Sequence, residues 1–314
     1  MDRLYLMEVF VAVTEESSFA GAARRLGTSP PAVTRAVAAL EAHLGVKLLD
    51  RTTRYVRVTE AVQRYFDDAR RIIAEADAAD ESVAGANGMP RGMLAVTAPV
   101  LFGKMFVLPG ITDYLRQYPD MEVTATFLDR VVNLLEEGFD VGVRIGELPD
   151  SGMRALRVGE VYPVICAAPQ YLAAHGTPGS PDALHEHTVV SAIAVTPLVE
   201  WKFTDQERRL TIRVRPRLTI SSNDCAIDAA RSGFGLTRVM SYQAAPYLAS
   251  GELVEVLPAF RPATLPVHVL HREGRYASAK IRSFVDLIAA RLRKEIASAA
   301  MKWEGTGGQD NVRQ

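Results

Sequence analysis

Thr34 and Arg35 stand side by side in SPPAVTRAVAALEAHL (29–44), and Arg51 and Arg54 flank two threonines in DRTTR (50–54). A hydroxyl and a guanidinium on one face of a helix whose other side chains there are small can hydrogen-bond base edges in a major groove. Paired arginines at the tip of a turn suit phosphates or a narrow minor groove. A third cation, Arg144, closes the apolar run VGVRI and is placed to meet an organic anion.

The spacing around the first group predicts the elements that hold it. Leu6, Phe10 and Val13 repeat as one helical stripe, and Phe19, Ala22, Ala23 and Leu26 as a second, with Ser18 as its N-cap. Gly27 stops that helix, where a left-handed backbone costs least. Ser29 then caps a third helix, and Pro30 and Pro31 take its first two positions, where a missing N–H loses nothing. Val33, Val37, Leu40 and Leu44 form its apolar stripe and Gly45 its end, leaving Pro31, Thr34, Arg35, Ala38 and Ala42 opposite. Two helices joined by a glycine turn read as a helix-turn-helix. The alternative is a bundle helix with a solvated arginine.

VKLLDRTTRYVRVTE alternates about a basic tip, a hairpin that beside a helix-turn-helix reads as a wing. Thr59 opens a further helix. Val62, Tyr65, Ala69, Ile72, Ala76, Ala79 and Val83 form its narrow heptad-like seam, which suits a second identical helix; the alternative is packing on its own domain. A dimer presents two recognition helices, as palindromic half-sites require.

Charge agrees with a polyanionic partner at this end. Residues 18–64 hold eight Lys/Arg against three carboxylates, +5 on a chain whose total is −1. Cys166 and Cys225 suggest two buried thiols in a reducing compartment rather than a disulfide framework or metal cluster. No convincing signal peptide opens the sequence, and no run reaches the ~18 apolar residues of a spanning helix. These features indicate a cytoplasmic protein with no membrane partner.

GANGMPRG (85–92) reads as a hinge. Beyond it strands alternate with helices: strands at 93–98, 121–128, 139–146 and 266–272, helices from Phe102 to Tyr118 with a break near Pro109 and from Arg130 to Gly138, and a last helix marked by Ile281, Phe284, Val285, Ile288 and Leu292. Residues 303–314 are polar and Gly-rich, as in a disordered tail. In open α/β lobes ligands bind past the carboxyl ends of strands, which nominates Thr97, Ala98, Pro99, Val100, Phe127, Arg144 and Asn223. Arg144 either meets a ligand or pairs with Asp129 or Glu147; Thr97 and Asn223 serve equally well as helix caps. Trp201 and Phe203 alternate on a strand as core residues.

The run Phe19–Glu60, with A-A-R-R-L-G, S-x-P-A-V-T-R, A-L-E, L-G-V-K-L-L-x-R-T-T-R and V-T-E-A, resembles the amino-terminal domain of LysR-type transcriptional regulators. The family commonly has Gln where this chain has Pro30, and Ser in place of Thr34. Pro30 cannot donate a hydrogen bond, so base reading passes to Thr34 and Arg35. E-E-G-F-D-V-G-V-R-I-G-E-L and G-F-G-L-T-R-V-M-S-Y resemble the family's effector domain, in the subgroup with D-R-V-V-x-L-x-E-E-G-F-D.

The resemblance implies an α+β multidomain chain: a winged helix-turn-helix (1–58), a dimerisation helix (59–84), the hinge, and a two-lobed α/β domain like periplasmic binding proteins (93–298). Lobe one would be 93–162 with 268–298, and lobe two 163–267. Implied partners are promoter duplex DNA at an imperfect palindrome, a small effector, a homodimer assembling to a homotetramer, and RNA polymerase. No cofactor is called for.

Enzyme readings find little support. G-x-S-x-G, H-E-x-x-H and a Walker loop are missing; SGFGLTR has Arg238 where a third fingerprint glycine would stand. His185 and His187 lack a partner at metal spacing, and Glu136-Glu137 reads as a solvated helix end. An enzyme carrying a DNA-binding domain, such as a biotin ligase that doubles as a repressor, needs a Gly/Arg/Lys-rich nucleotide loop that this sequence lacks. A transporter's solute-binding protein would need a signal peptide and would not carry the basic domain.

Overall fold

The first helix, α1 (Arg3–Glu16), begins where the Asp2 carboxylate accepts the Leu4 N–H. The second, α2 (Phe19–Arg25), begins where the Ser18 hydroxyl accepts the Gly21 N–H at 3.1 Å. Gly27 takes φ +60° and the Thr28 N–H returns to the Ala23 carbonyl at 2.9 Å, closing α2 with a left-handed turn. The third, α3 (Pro30–Leu44), ends at Gly45 with φ +71°. The computed structural model describes residues 2–49, 62–66, 68–73, 76, 89–134, 136–148, 153–192, 199–206, 208–271 and 278–304, with side chains to 298. It divides into two compact units, residues 1–93 with 276–279 and residues 94–275 with 280–314.

In the first unit Val9, Phe10 and Val13 of α1, Ala22 and Ala23 of α2, and Val33, Val37 and Leu40 of α3 share one core. Burial on α1 runs unbroken from Val9 to Val13, wider than one stripe, because α1 is covered by both of its neighbours and by the helical residues 62–66 and 68–73. Those residues correct the expected seam. Val62, Phe66 and Ala69 are buried in this core, with Phe66 and Tyr65 set 6.4 and 5.5 Å from the Phe10 ring. Two aromatic rings against Phe10 turn this stretch inward. Ile72 remains 38% exposed. Ala79 and Val83 lie outside the described residues, as do the expected wing and hinge residues 85–88.

The second unit holds two five-stranded mixed sheets. The first contains β1 (Gly92–Ala98), β2 (Met121–Phe127), β3 (Val141–Ile145), β4 (Arg154–Val161) and β12 (Leu265–His271) in the order β2-β1-β3-β12-β4. β1 and β3 are parallel, while β12 returns antiparallel to β3 and β4. The second contains β5 (Pro163–Ala167), β6 (Val189–Ala192), β9 (Leu218–Ile220), β10 (Leu236–Met240) and β11 (Val254–Val256) in the order β11-β5-β10-β6-β9. An antiparallel ribbon of β7 (Val199–Asp205) and β8 (Arg208–Val214) packs Trp201 and Phe203 into the core of that sheet. The closing helix Ala279–Glu304 buries Ile281, Phe284, Val285, Ile288 and Leu292; it reaches Glu304, past the start of the tail expected at 303.

Two helix expectations change. Residues 100–117 are helical, but the irregularity is a π-turn at Gly103–Val107 that precedes Pro109, not a break at the proline. The wider turn leads into the residue that lacks an N–H. Residues 130–138 form turns rather than a helix among the described residues. Arg130 and Glu137 close them with two parallel bonds, one at 2.7 Å, so Glu137 is clamped rather than a solvated helix end.

Candidate functional site

α3 presents the expected outer face. Pro31, Arg35, Ala38 and Ala42 are exposed and Thr34 half-buried, while Val33, Val37 and Leu40 are buried beneath. Pro30 and Pro31 sit at the first two helical positions. Ser29 is the N-cap residue, but its hydroxyl makes no capping bond. Pro31 has removed the N–H at the second position, and the Ser29 carbonyl takes the N–H groups of Ala32 and Val33 at 2.9 and 3.1 Å. The fixed φ of the prolines therefore sets where α3 starts. Arg25 is held by Glu15 at 2.6 Å. Arg35 makes no ion pair or hydrogen bond among the described residues, which leaves its fork for a partner outside the fold. Arg51 and Arg54 lie outside the described residues.

A residue missed by periodicity fixes the exit from α3. Glu41 is buried, and its Oε1 accepts the N–H groups of Leu48 and Leu49 at 3.0 and 3.2 Å. Its Oε2 takes Lys47 Nζ at 2.7 Å. Burial pushes its pKa up, but the bonds from Lys47, Leu49 and Leu48 outweigh that and hold it below the usual carboxylate range. A carboxylate on the apolar side of α3 was the available signal.

In the second unit the nominated residues fall into two bonded groups and a packing contact. Arg144 donates to the Val143 carbonyl at 2.7 Å and to the buried Thr97 hydroxyl at 3.5 Å. Among the described residues it has no ion pair, with Asp129 or with Glu147. Burial lowers its pKa, so the charge is held at a cost that an anion would relieve. His268 lies directly across from Arg144 in the β3–β12 register, and its buried Nδ1 has no hydrogen-bond partner. The second group is a chain: Asp129 Oδ1 accepts the Val100 N–H at 2.9 Å and its Oδ2 accepts from Asn223 Nδ2 at 3.4 Å. Asp129, from the first sheet's side, thus bonds a residue that begins helix Asn223–Arg231 on the second. Neither cap reading holds. Asp129, not Thr97, binds the first N–H of the 100–102 turn, and Ser222, not Asn223, is the N-cap of its helix. Ala98 and Pro99 contribute carbonyls to Leu128 and Gly103 at 2.9 and 2.6 Å. Phe127 packs so closely on Gly103 that a Cβ there would fall 2.6 Å from its ring.

The profile of bacterial regulatory helix-turn-helix proteins of the lysR family matches residues 4–63, and that of the LysR substrate binding domain matches residues 87–293. The chain belongs to the LysR family of transcriptional regulators. It is 31% identical to an HTH-type transcriptional repressor of Pseudomonas aeruginosa over 92% of each chain. It is 30% identical to the HTH-type transcriptional activator TtdR of Escherichia coli over 90% of this chain and 92% of that one. The structure of CrgA, a LysR-type regulator of Neisseria meningitidis, superposes with a TM-score of 0.60 at 30% identity, covering 92% of this chain and 98% of that one. This LysR-family chain is accordingly a DNA-binding transcription regulator with an effector-binding domain, in a family of regulators rather than enzymes.

The cysteine expectation needs correction: Cys166 is buried, but Cys225 is exposed on the first turn of helix Asn223–Arg231. His187 bonds the Tyr171 hydroxyl at 3.3 Å. Among the described residues no group of three metal-ligating side chains gathers, and no helix is long and apolar enough to cross a membrane.

Proposed function

We propose that this regulator reads an imperfect palindrome in promoter DNA as a cytoplasmic homodimer, paired into a homotetramer, and that a small organic effector sets how it sits there. Residues 1–58 bind the duplex. Thr34 and Arg35 address base edges, the turn at Ser29, Pro30 and Pro31 approaches the backbone, and Arg51 and Arg54 of the wing hold phosphates. Residues 59–84 pair the subunits, 85–92 act as the hinge, and 93–298 bind the effector between lobe one (93–162 and 268–298) and lobe two (163–267). Contact with RNA polymerase belongs to the same reading.

Arg144 carries the effector half of this proposal. A half-buried guanidinium bonded only to a carbonyl and a hydroxyl favours an anionic or hydroxylated organic ligand. Asp129 does not neutralise it, being engaged with Val100 and Asn223. Thr97 and the 98–100 turn supply the neighbouring polar groups, Phe127 and Gly103 the apolar wall, and Asn223 the far side. A ligand that bonds both sides shifts the lobe equilibrium by its differential affinity for the closed shape.

The test is Arg144→Ala in a reporter strain supplied with candidate organic acids, with promoter binding measured beside it. The expected variant keeps its fold and its affinity for DNA and loses the response to the inducer. A normal response would remove Arg144 from the ligand site.

A further inference from the structure

Arg238 is a cation that neither the DNA face nor the Arg144 site uses. It stands in β10 opposite Ile165 of β5. Alternation along β10 fixes its side: Leu236 packs with Trp201 and Phe203, whereas Val239 packs with Ile227 of helix Asn223–Arg231. Arg238 therefore faces the β7–β8 ribbon, with its guanidinium 6.0 Å from the Trp201 ring centroid. Burial alone accounts for the lowering of its pKa, to about 10; no nearby carboxylate raises it. Glu255 lines the same pocket but is taken by Arg261, which grips both of its oxygens. A buried guanidinium has five donors to satisfy, and leaving them unmet is costly. The pocket that receives it is walled by Phe203, Leu257 and Phe260, with Lys202 and Arg261 also lining it. It encloses about 240 Å³ with its mouth included, below the roughly 300–1,000 Å³ of sites for drug-sized ligands.

We propose that this pocket is a second small-molecule site, which takes a short monocarboxylic acid with a compact apolar body. The carboxylate lies on the Arg238 fork and the hydrocarbon part lies against Phe203 and Phe260. The site is separate from that of Arg144 and stands or falls independently of it.

Trp201 reports directly on this pocket. The full-length chain with Trp303→Phe, which leaves Trp201 as its single tryptophan, is titrated with isovalerate and, at the same concentrations, with isovaleramide. Isovalerate is expected to change the Trp201 emission saturably and the uncharged amide to leave it unchanged. Arg238→Met in that background weakens the isovalerate response by about tenfold or more, the loss of a charge-assisted fork, whereas Arg144→Ala leaves it intact. Silence with isovalerate, an equal response to the amide, an undiminished response in Arg238→Met, or loss of the response in Arg144→Ala would each overturn the proposal. The acid–amide comparison decides the matter alone if Arg238→Met does not fold.

Discussion

Glu41 Oε1 accepts the Leu48 N–H at 3.0 Å, so a buried carboxylate on the reading helix holds the chain that leaves it. The same oxygen takes Leu49, and Lys47 closes the other side. The bond ties the orientation of α3 to the start of the wing segment, seven residues on.

Glu41→Ala should destabilise the amino-terminal unit by about 1–3 kcal/mol, because two N–H groups lose their acceptor. Urea denaturation of the full chain measures this. The pH dependence has a definite sign. Because the folded pKa is lowered, the stabilisation is complete above the ordinary carboxylate range and is lost as pH falls through the folded value. Glu41→Ala should flatten that acid limb; an unaltered acid limb would show that Glu41 is not the group responsible.

The helical stretch after the wing has two jobs on two faces. Phe66→Ala empties a place beside Phe10 and should cost about 3–5 kcal/mol of stability in the amino-terminal unit. Ile72→Glu changes an exposed position and should leave melting nearly unaltered while it separates dimers in light scattering. An Ile72→Glu chain that keeps its assembly would move the dimer contact elsewhere.

The two thiols should differ sharply. Burial pushes the Cys166 thiol up to about 12, with Glu255 adding to the shift, and its side chain is inaccessible. Iodoacetamide at neutral pH should label the exposed Cys225 and spare Cys166 until the chain is unfolded. Equal labelling in mass spectra of the folded protein would contradict the packing of β5.

The amino-terminal unit was legible because its signals are local: Ser18, Gly27, the two prolines and Gly45 each punctuate a helix within one turn of chain. The apolar pattern after Thr59 was misread since several stripes fit it. The choice of Val62, Phe66 and Ala69 over Ile72 depends on Phe10, some fifty residues away. The same holds in the effector domain. Strand ends nominated Thr97 and Arg144 together, yet the bridge from Asp129 to Asn223 joins residues 94 apart and left no local trace. Residues 130–138 read as helical from composition, but the Arg130–Glu137 clamp, which no periodicity reports, folds them into turns.

The central claim is that α3 reads bases through Arg35. Selection of bound duplexes from a random pool, run with the full-length protein and with Arg35→Ala, tests it most directly. The wild-type chain should enrich an imperfect palindrome. Arg35→Ala should bind that site more weakly by roughly 1–3 kcal/mol and lose preference at one base pair in each half-site, while its affinity for random DNA stays the same. No enriched sequence, or an identical motif from both proteins with equal losses on cognate and random DNA, would contradict the claim and assign Arg35 to the phosphate backbone.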